Sequence, residues 1–189
     1  MKLSIITINR NNAAGLRKTM ESVFSQTYRD FEYIIIDGAS TDDSVDIIKD
    51  YSRRFEIGDL RLENFKWISE PDTGIYNAMN KGLKIAKGEY TLMLNSGDYL
   101  VDEYVIERIL PELDGVDIIQ GNVIEDYPDK TIRFRSYGKS DISFIDAMDA
   151  NFPHQAMFIK LSVMEKYGYY DDSYKKGSDT YFFITALGL

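Results

Sequence analysis

The chain has no cysteine and a single histidine among its 189 residues. Without cysteine there is no disulfide framework, zinc–thiolate site, iron–sulfur cluster or cysteine nucleophile, and the composition fits a reducing compartment. Any metal must be held through oxygen, with at most His154 adding a nitrogen. No apolar run approaches the roughly 20 residues needed to span a bilayer. Met1 leads straight into a strand-like segment, without the charged and apolar regions of a signal peptide, so a cytoplasmic location is expected. Positive charge is scarce: 22 Lys and Arg stand against 31 Asp and Glu, a net charge of −9 with histidine neutral. Affinity for nucleic acid rests mainly on Lys and Arg neutralising phosphates, which argues against nucleic acid as a partner. The usual phosphate cradles are missing too. There is no Gly-x-Gly-x-x-Gly after the first apolar run and no Gly-x-x-x-x-Gly-Lys-Ser/Thr, which removes most support for dinucleotide oxidoreductases and P-loop NTPases. No repeat, low-complexity stretch or Pro/Ser linker divides the chain, so residues 1–189 read as a single domain.

What is present is a sizeable core, at 44% hydrophobic residues, and a regular alternation. Residues 3–8 (Leu-Ser-Ile-Ile-Thr-Ile) read as a strand buried on both faces. Leu16, Met20, Val23 and Phe24 repeat at helical spacing, predicting an amphipathic helix from about Ala13 to Gln26. Phe31 to Ile36 is a second strand. Ser40-Thr41-Asp42-Asp43 matches a capping box before the helical pattern Val45, Ile48, Tyr51, Phe55. Phe65 to Ile68 reads as a third strand, Ile75 to Ala86 as a helix ending at Gly88, and Tyr90 to Leu94 as a fourth strand. This alternation predicts an α/β fold around a parallel sheet. Beyond Asp98 the pattern loosens into a helix around Val105–Leu113, a strand at Val116–Gln120 and a hairpin over residues 121–137 centred on Pro128-Asp129, so the second half is expected to be mixed. The chain closes at Leu189 in an unfinished helical pattern, and truncation is one reading of that end.

In open α/β sheets ligands bind beyond the carboxyl ends of the strands, and Asp37 and Asp98 both follow predicted strands immediately. A carboxylate there accepts hydrogen bonds from a base or ribose, or ligates a hard cation. It equally satisfies a turn, as Asp before Gly often does. Asp42-Asp43 is best explained by helix capping and the Arg53-Arg54 pair by a solvated face. Asp179 beside Ser178 reads in isolation as a helix N-terminal acid. Tyr167, Tyr169, Tyr170 and Tyr174 could stack on a sugar, but packing explains them as well.

Five segments, SIITINRNNAAGLRKTMESVFSQTY, EYIIIDGASTDDS, SEPDTGIYNAMNKGLKIAKGEYTLMLNSGD, PHQAMF and KGSDTYFF, run in order from residue 3 to about residue 184. Together they resemble glycosyltransferase family 2, the inverting nucleotide-sugar enzymes of GT-A fold, and within it the bacterial enzymes that build O-antigen, capsule or exopolysaccharide. The resemblance implies a Rossmann-like, mostly parallel central sheet flanked by helices, with a nucleotide-sugar-binding half over residues 1–100 and a mixed acceptor half over 101–189. It implies that Asn11, Asp37, Asp72 and Asn95 bind the nucleotide sugar, that Asp98 holds a divalent cation, Mg²⁺ or Mn²⁺, and that Asp179 is the general base. His154 is the acceptor-side candidate, and Arg10 and Lys81 are positioned in sequence to reach phosphates. Ile8 and Arg10 stand where the family has Pro and Tyr; Asn95 and Gly97 replace two acids of its Asp-x-Asp-Asp signature; Tyr181 replaces a second Asp. The implied partners are a nucleoside diphosphate sugar, UDP-linked, and a glycan or lipid-linked saccharide, with peripheral association at the inner face of the plasma membrane. A cation is expected on physical grounds, because like charges about 5 Å apart repel by roughly 3 kcal/mol at an effective dielectric near 20. Two other readings remain. A sugar nucleotidyltransferase would need a Gly-rich loop after the first strand, and Ile8-Asn9-Arg10-Asn11-Asn12 has no glycine. A non-catalytic nucleotide-sugar-binding module is suggested by the thinned acidic motif.

Overall fold

The computed structural model describes residues 1–127 and 153–186, together with the backbone of 132–135. Seven-residue strands β1 (Leu3–Asn9) and β2 (Phe31–Asp37) are buried along their whole length, as the apolar runs require for strands covered on both faces. They join β3 (Asn64–Ser69), β4 (Tyr90–Met93), β8 (Met157–Lys160) and β5 (Ile118–Gln120) in one sheet of order β3-β2-β1-β4-β8-β5. The first four of these strands are parallel, and β8 runs antiparallel to both its neighbours. The mixed second half is therefore borne out. The expected hairpin appears as β6 (Val123–Asp126) paired antiparallel with β7 (Ile132–Arg135); its Pro128-Asp129 turn lies outside the described residues, as do residues 136–152 and the chain end from 187.

Helices α1 (Ala13–Phe24) and α2 (Ser44–Glu56) cover one face of the sheet, where Leu3, Ile5, Phe31, Tyr33 and Ile35 meet Leu16, Met20, Val23 and Ile48. Helix α3 (Ile75–Ile85), α5 (Leu161–Tyr167) and α6 (Ser178–Ala186) cover the other, where Ile6, Ile8, Ile34 and Ile36 meet Met79, Leu83, Met164 and Phe182. Short α4 (Val105–Ile109) closes the first face through Ile106. The strand order explains the change of side. The chain steps outward from β1 to β3, then crosses back to place β4 on the far side of β1, and right-handed crossovers put the connecting helices of opposite directions on opposite faces. This leaves a crevice at the carboxyl ends of β1 and β4, the position where ligands bind in such sheets. Close packing holds α3 there: a Cβ on Gly82 would come within 2.4 Å of Ile6 Cγ2, so only glycine lets the helix lie this near β1.

The capping box expected at Ser40 is replaced by a different arrangement. The N-cap of α2 is Asp43, which makes no side-chain cap bond. Asp42 accepts from Ser44 N at 3.0 Å and from Ala13 N at 2.9 Å, closing the N-termini of α2 and α1 with one carboxylate. Ser40 is unavailable because its hydroxyl serves Asp37 and Asn11.

Candidate active site

Strands β1, β2 and β3 end in one row. Asn9, Asp37 and Ser69 are register partners across β1, β2 and β3. Asp37 is fully buried, and its carboxylate collects donors from all around this rung: Asn9 Nδ2 at 2.8 Å and Ser40 Oγ at 2.5 Å on one oxygen, Ser40 N at 2.9 Å and Ser69 Oγ at 2.7 Å on the other. Both oxygens are thus engaged by protein donors, two on each. Above it lies Asp72, whose side chain is nearly buried and accepts from Gly74 N at 3.0 Å. A Cβ on Gly38 would sit 2.3 Å from Asp72 Oδ2, so this glycine admits the carboxylate. Arg10 reaches to 4.0 Å from Asp72 and is otherwise exposed. Asn11 adopts a left-handed backbone (φ 51°), a conformation Asn tolerates, and its Oδ1 accepts from Thr41 N at 2.7 Å. Lys81 is already committed to Glu70 at 2.7 Å and to the Pro71 carbonyl at 2.8 Å.

The other side of the crevice is the loop after β4. Gly97 has φ 108°, which favours glycine, and this gives a conformational reason for the absence of an acid there. The loop is pinned to α1: Thr19 Oγ1 donates to the Asp98 carbonyl at 2.7 Å and accepts from Gly97 N at 2.9 Å, while Asn12 Nδ2 donates to the Ser96 carbonyl at 2.9 Å. Asp98 is partly buried; that burial pushes its carboxyl above the usual range, against the lowering effects of His154 and of a hydrogen bond from Gln155.

His154 joins this loop to the second half of the chain. It opens a short 3-10 turn ahead of β8, and its Nδ1 lies 3.0 Å from Asp179 Oδ2 while its Nε2 lies 2.9 Å from Asn95 Nδ2. With Nδ1–H donating to the carboxylate, the ring is held between Asp179 and Asn95. Asn95 Oδ1 is left buried and without a protein partner. Asp179, at the start of α6, also accepts from Tyr76 Oη at 3.0 Å. Burial works against its ionisation, but the hydrogen bonds from His154 and Tyr76, the charge of His154 and the Thr180 N–H outweigh it and hold the carboxyl below its usual value. Asn95, His154 and Asp179 are thus joined by hydrogen bonds, with Asp98 close to His154.

The fold, the ordered motifs and this crevice invite comparison with known proteins. The model of Glycosyl transferase family 2 matches residues 4–170. The chain belongs to glycosyltransferase family 2. A PGL/p-HBAD biosynthesis glycosyltransferase of Mycobacterium bovis is 30% identical over 187 residues, covering 97% of this chain and 69% of that protein. An uncharacterized glycosyltransferase of Mycobacterium tuberculosis is 32% identical over 191 residues, covering 97% and 68%. Among solved structures, Staphylococcus aureus TarS 1-349 has a TM-score of 0.71 at 18% identity, covering 98% of this chain and 55% of that one. The Pyrobaculum calidifontis mannosyltransferase PcManGT, solved with GDP-Man and Mn²⁺, has a TM-score of 0.69 at 16% identity, covering 97% and 51%. The chain spans about half the length of these solved neighbours. The family 2 member thus has the GT-A fold expected of it, a mostly parallel six-stranded sheet flanked by helices.

Several residues that shape the site escaped the sequence reading. Tyr76 sits in an apolar helical stripe, where its hydroxyl gives no local sign of a partner 103 residues away. Asn12, Ser69 and Gln155 act through neighbours supplied by other strands. Tyr170, one of the candidate stacking tyrosines, is buried against Tyr76 and Phe182. Among the described residues no group of three or more His, Asp or Glu is placed to hold a metal, and no helix is long and apolar enough to cross a membrane.

Proposed function

We propose that this chain forms the donor pocket and supplies the general base of an inverting glycosyltransferase. It transfers a hexosyl or N-acetylhexosaminyl group from a UDP-sugar to a glycan or lipid-linked saccharide in the assembly of a cell-surface glycan. The observation that carries the reading is the convergence of Asp98 and Asp179 on His154 at the carboxyl edge of β4. A TarS structure in complex with UDP-GlcNAc supports a UDP-linked donor, and a glycosyltransferase relative named for PGL/p-HBAD biosynthesis supports a biosynthetic role. A lipid-linked acceptor would draw the protein to the inner face of the plasma membrane.

In this reading Asp72 and Asn11 line the nucleotide side, and Asn11 offers its NH₂ group, which has no protein partner among the described residues. Asp37 binds no ligand directly; it holds the ends of β1, β2 and β3 in the row that forms the pocket wall. Asn95 borders the donor sugar and orients His154. Asp98 fits a divalent cation in one way: a single carboxylate, with diphosphate and water oxygens completing the hard-ligand set that Mg²⁺ or Mn²⁺ prefers. A cation held there would supply the positive charge that offsets a diphosphate leaving group. Asp179 takes the proton of the acceptor hydroxyl as that oxygen bonds to the anomeric carbon, while the bond from that carbon to the phosphate oxygen breaks on the opposite face. The residue is ionised at neutral pH, as a base must be, because its carboxyl is held low.

Calorimetry with UDP and MnCl₂, paired with a transfer assay on the full-length protein, tests this. Asp179→Asn should keep nucleotide binding while transfer falls by about 10²–10⁴-fold, the contribution of a positioned base. Asp98→Ala should lose the Mn²⁺-dependent part of nucleotide binding. Undiminished transfer in Asp179→Asn would remove the base assignment, and binding without any transfer in the wild type would favour the non-catalytic module.

A further inference from the structure

Asp179 lies on the first turn of α6, a helix that packs against α5, and it is met there by His154 and by Tyr76 of α3. That helix holds the approach to α6 along one side: Asn80 exchanges two hydrogen bonds with the Tyr170 backbone, at 2.6 and 3.1 Å, and Asn77 Nδ2 donates to Asp172 at 3.0 Å. At its N-terminal turn Tyr76 Oη accepts from Gly177 N at 2.9 Å and lies 3.0 Å from Asp179 Oδ1. A phenol has one proton. With its acceptor side engaged by a backbone N–H, the donor side is directed at the carboxylate. Tyr76 is itself 6% exposed and packed on Tyr170, and α3 is locked to β1 through Gly82, so the hydroxyl is held by the rigid part of the molecule. The same helix begins directly after the Asp72–Gly74 turn of the donor wall.

We infer that Tyr76 is a positioning residue for the reaction: its hydroxyl fixes the orientation of Asp179 and keeps it an unprotonated acceptor, tying the base to the donor wall through α3. The inference rests on Asp179 being the base. The titratable groups facing Asp179 are His154 from the turn before β8, Tyr76 from α3 and Tyr170 from the segment before α6, with Asp98 beyond His154. Of these, Tyr76 and His154 donate to the carboxylate, and each favours its ionised form.

The test compares Tyr76→Phe, Asp172→Ala and Asp179→Asn in the full-length protein with UDP-GlcNAc as donor probe, after equal thermal stability of each variant has been checked. Tyr76→Phe keeps the ring and removes only the hydroxyl. It should lower kcat roughly tenfold, a part of what a positioned base contributes, and leave the donor KM unchanged. The acidic limb of its pH–rate profile should move upward by about one pH unit, as loss of one hydrogen bond to a charged form implies. Asp172→Ala breaks the neighbouring α3 contact without touching Asp179 and should leave that limb in place. If Asp179→Asn abolishes transfer while Tyr76→Phe keeps the wild-type limb and kcat, the inference about Tyr76 is overturned and the base assignment stands. If Asp179→Asn retains full transfer, the functional reading itself falls. A limb that moves equally in Asp172→Ala and Tyr76→Phe would assign the effect to the helix contact as a whole and overturn a specific role for the hydroxyl.

Discussion

Asp37→Asn distinguishes a residue that holds the pocket wall from one that touches the nucleotide. The carboxylate is fully buried and accepts from four donors, two on each oxygen. The amide keeps one oxygen and turns the other into a donor. If the NH₂ group takes the side facing Ser40 N and Ser69 Oγ, the serine hydroxyl can rotate to accept, but the Ser40 N–H cannot. One part-buried N–H is left without its partner, which costs about 1–3 kcal/mol, and the remaining bonds lose the charge that made them worth roughly 1.5–3 kcal/mol each. The expected destabilisation is about 3–5 kcal/mol, large against a total folding stability of roughly 5–15 kcal/mol. Urea denaturation followed by tryptophan fluorescence measures it, since Trp67 on the neighbouring β3 packs against the same core. Nucleotide affinity, measured on the fraction that remains folded, should stay within about threefold of wild type. A variant of unchanged stability that no longer binds UDP would refute this and return Asp37 to the nucleotide itself.

Asn95→Asp puts a second carboxylate beside Asp98 and should tighten Mn²⁺ binding by about tenfold in calorimetry with UDP present, since cation sites are tuned by ligand charge; unaltered affinity would move the cation away from this loop. Gly88→Ala places a Cβ 2.5 Å from the Leu3 and Ser4 backbone, where no side chain can rotate aside. It should cost about 3 kcal/mol or more in chemical denaturation, at the upper end of overpacking effects. Glu32 is buried at the start of β2, where burial opposes its charge but Ser4, the Lys87 N–H and Lys66 together hold its carboxyl below the ordinary value. With a folded value depressed below the unfolded one, its stabilising contribution is complete above pH 4.5 and is lost as pH falls through the folded value. Glu32→Gln should therefore flatten the fall in stability below pH 4.5, and an identical pH dependence in both proteins would reject the assignment.

The parallel half of the fold was legible because its signals are local. The buried runs at residues 3–8 and 31–36 and the helical stripe Leu16, Met20, Val23 and Phe24 each carry their own periodicity, and they fold as that periodicity directs. What was not legible depends on distant pairing. Nothing within Met-Phe-Ile-Lys at residues 157–160 indicates that this strand inserts antiparallel between β4 and β5. The candidate acids divide in the same way. Asp37 was recognisable as a strand-end carboxylate, but its saturation comes from Asn9 and Ser69, 28 and 32 residues away in sequence, and only the register brings them into one row. His154 gave no sign that it bridges Asn95 and Asp179, because each partner comes from a separate element. The glycine at position 97, met in the sequence as a missing acid, is explained by its backbone conformation.

Because His154 is the chain's single histidine, its imidazole gives one set of NMR signals, and it lies between the proposed cation ligand and the proposed base. Titrating the full-length, tag-free protein with Mn²⁺ in the presence of UDP should broaden those signals beyond detection, and Asp98→Asn should restore them at the same concentrations. Sharp, unshifted His154 signals in wild-type protein saturated with UDP and Mn²⁺ would contradict the claim that donor, cation and base meet in this crevice.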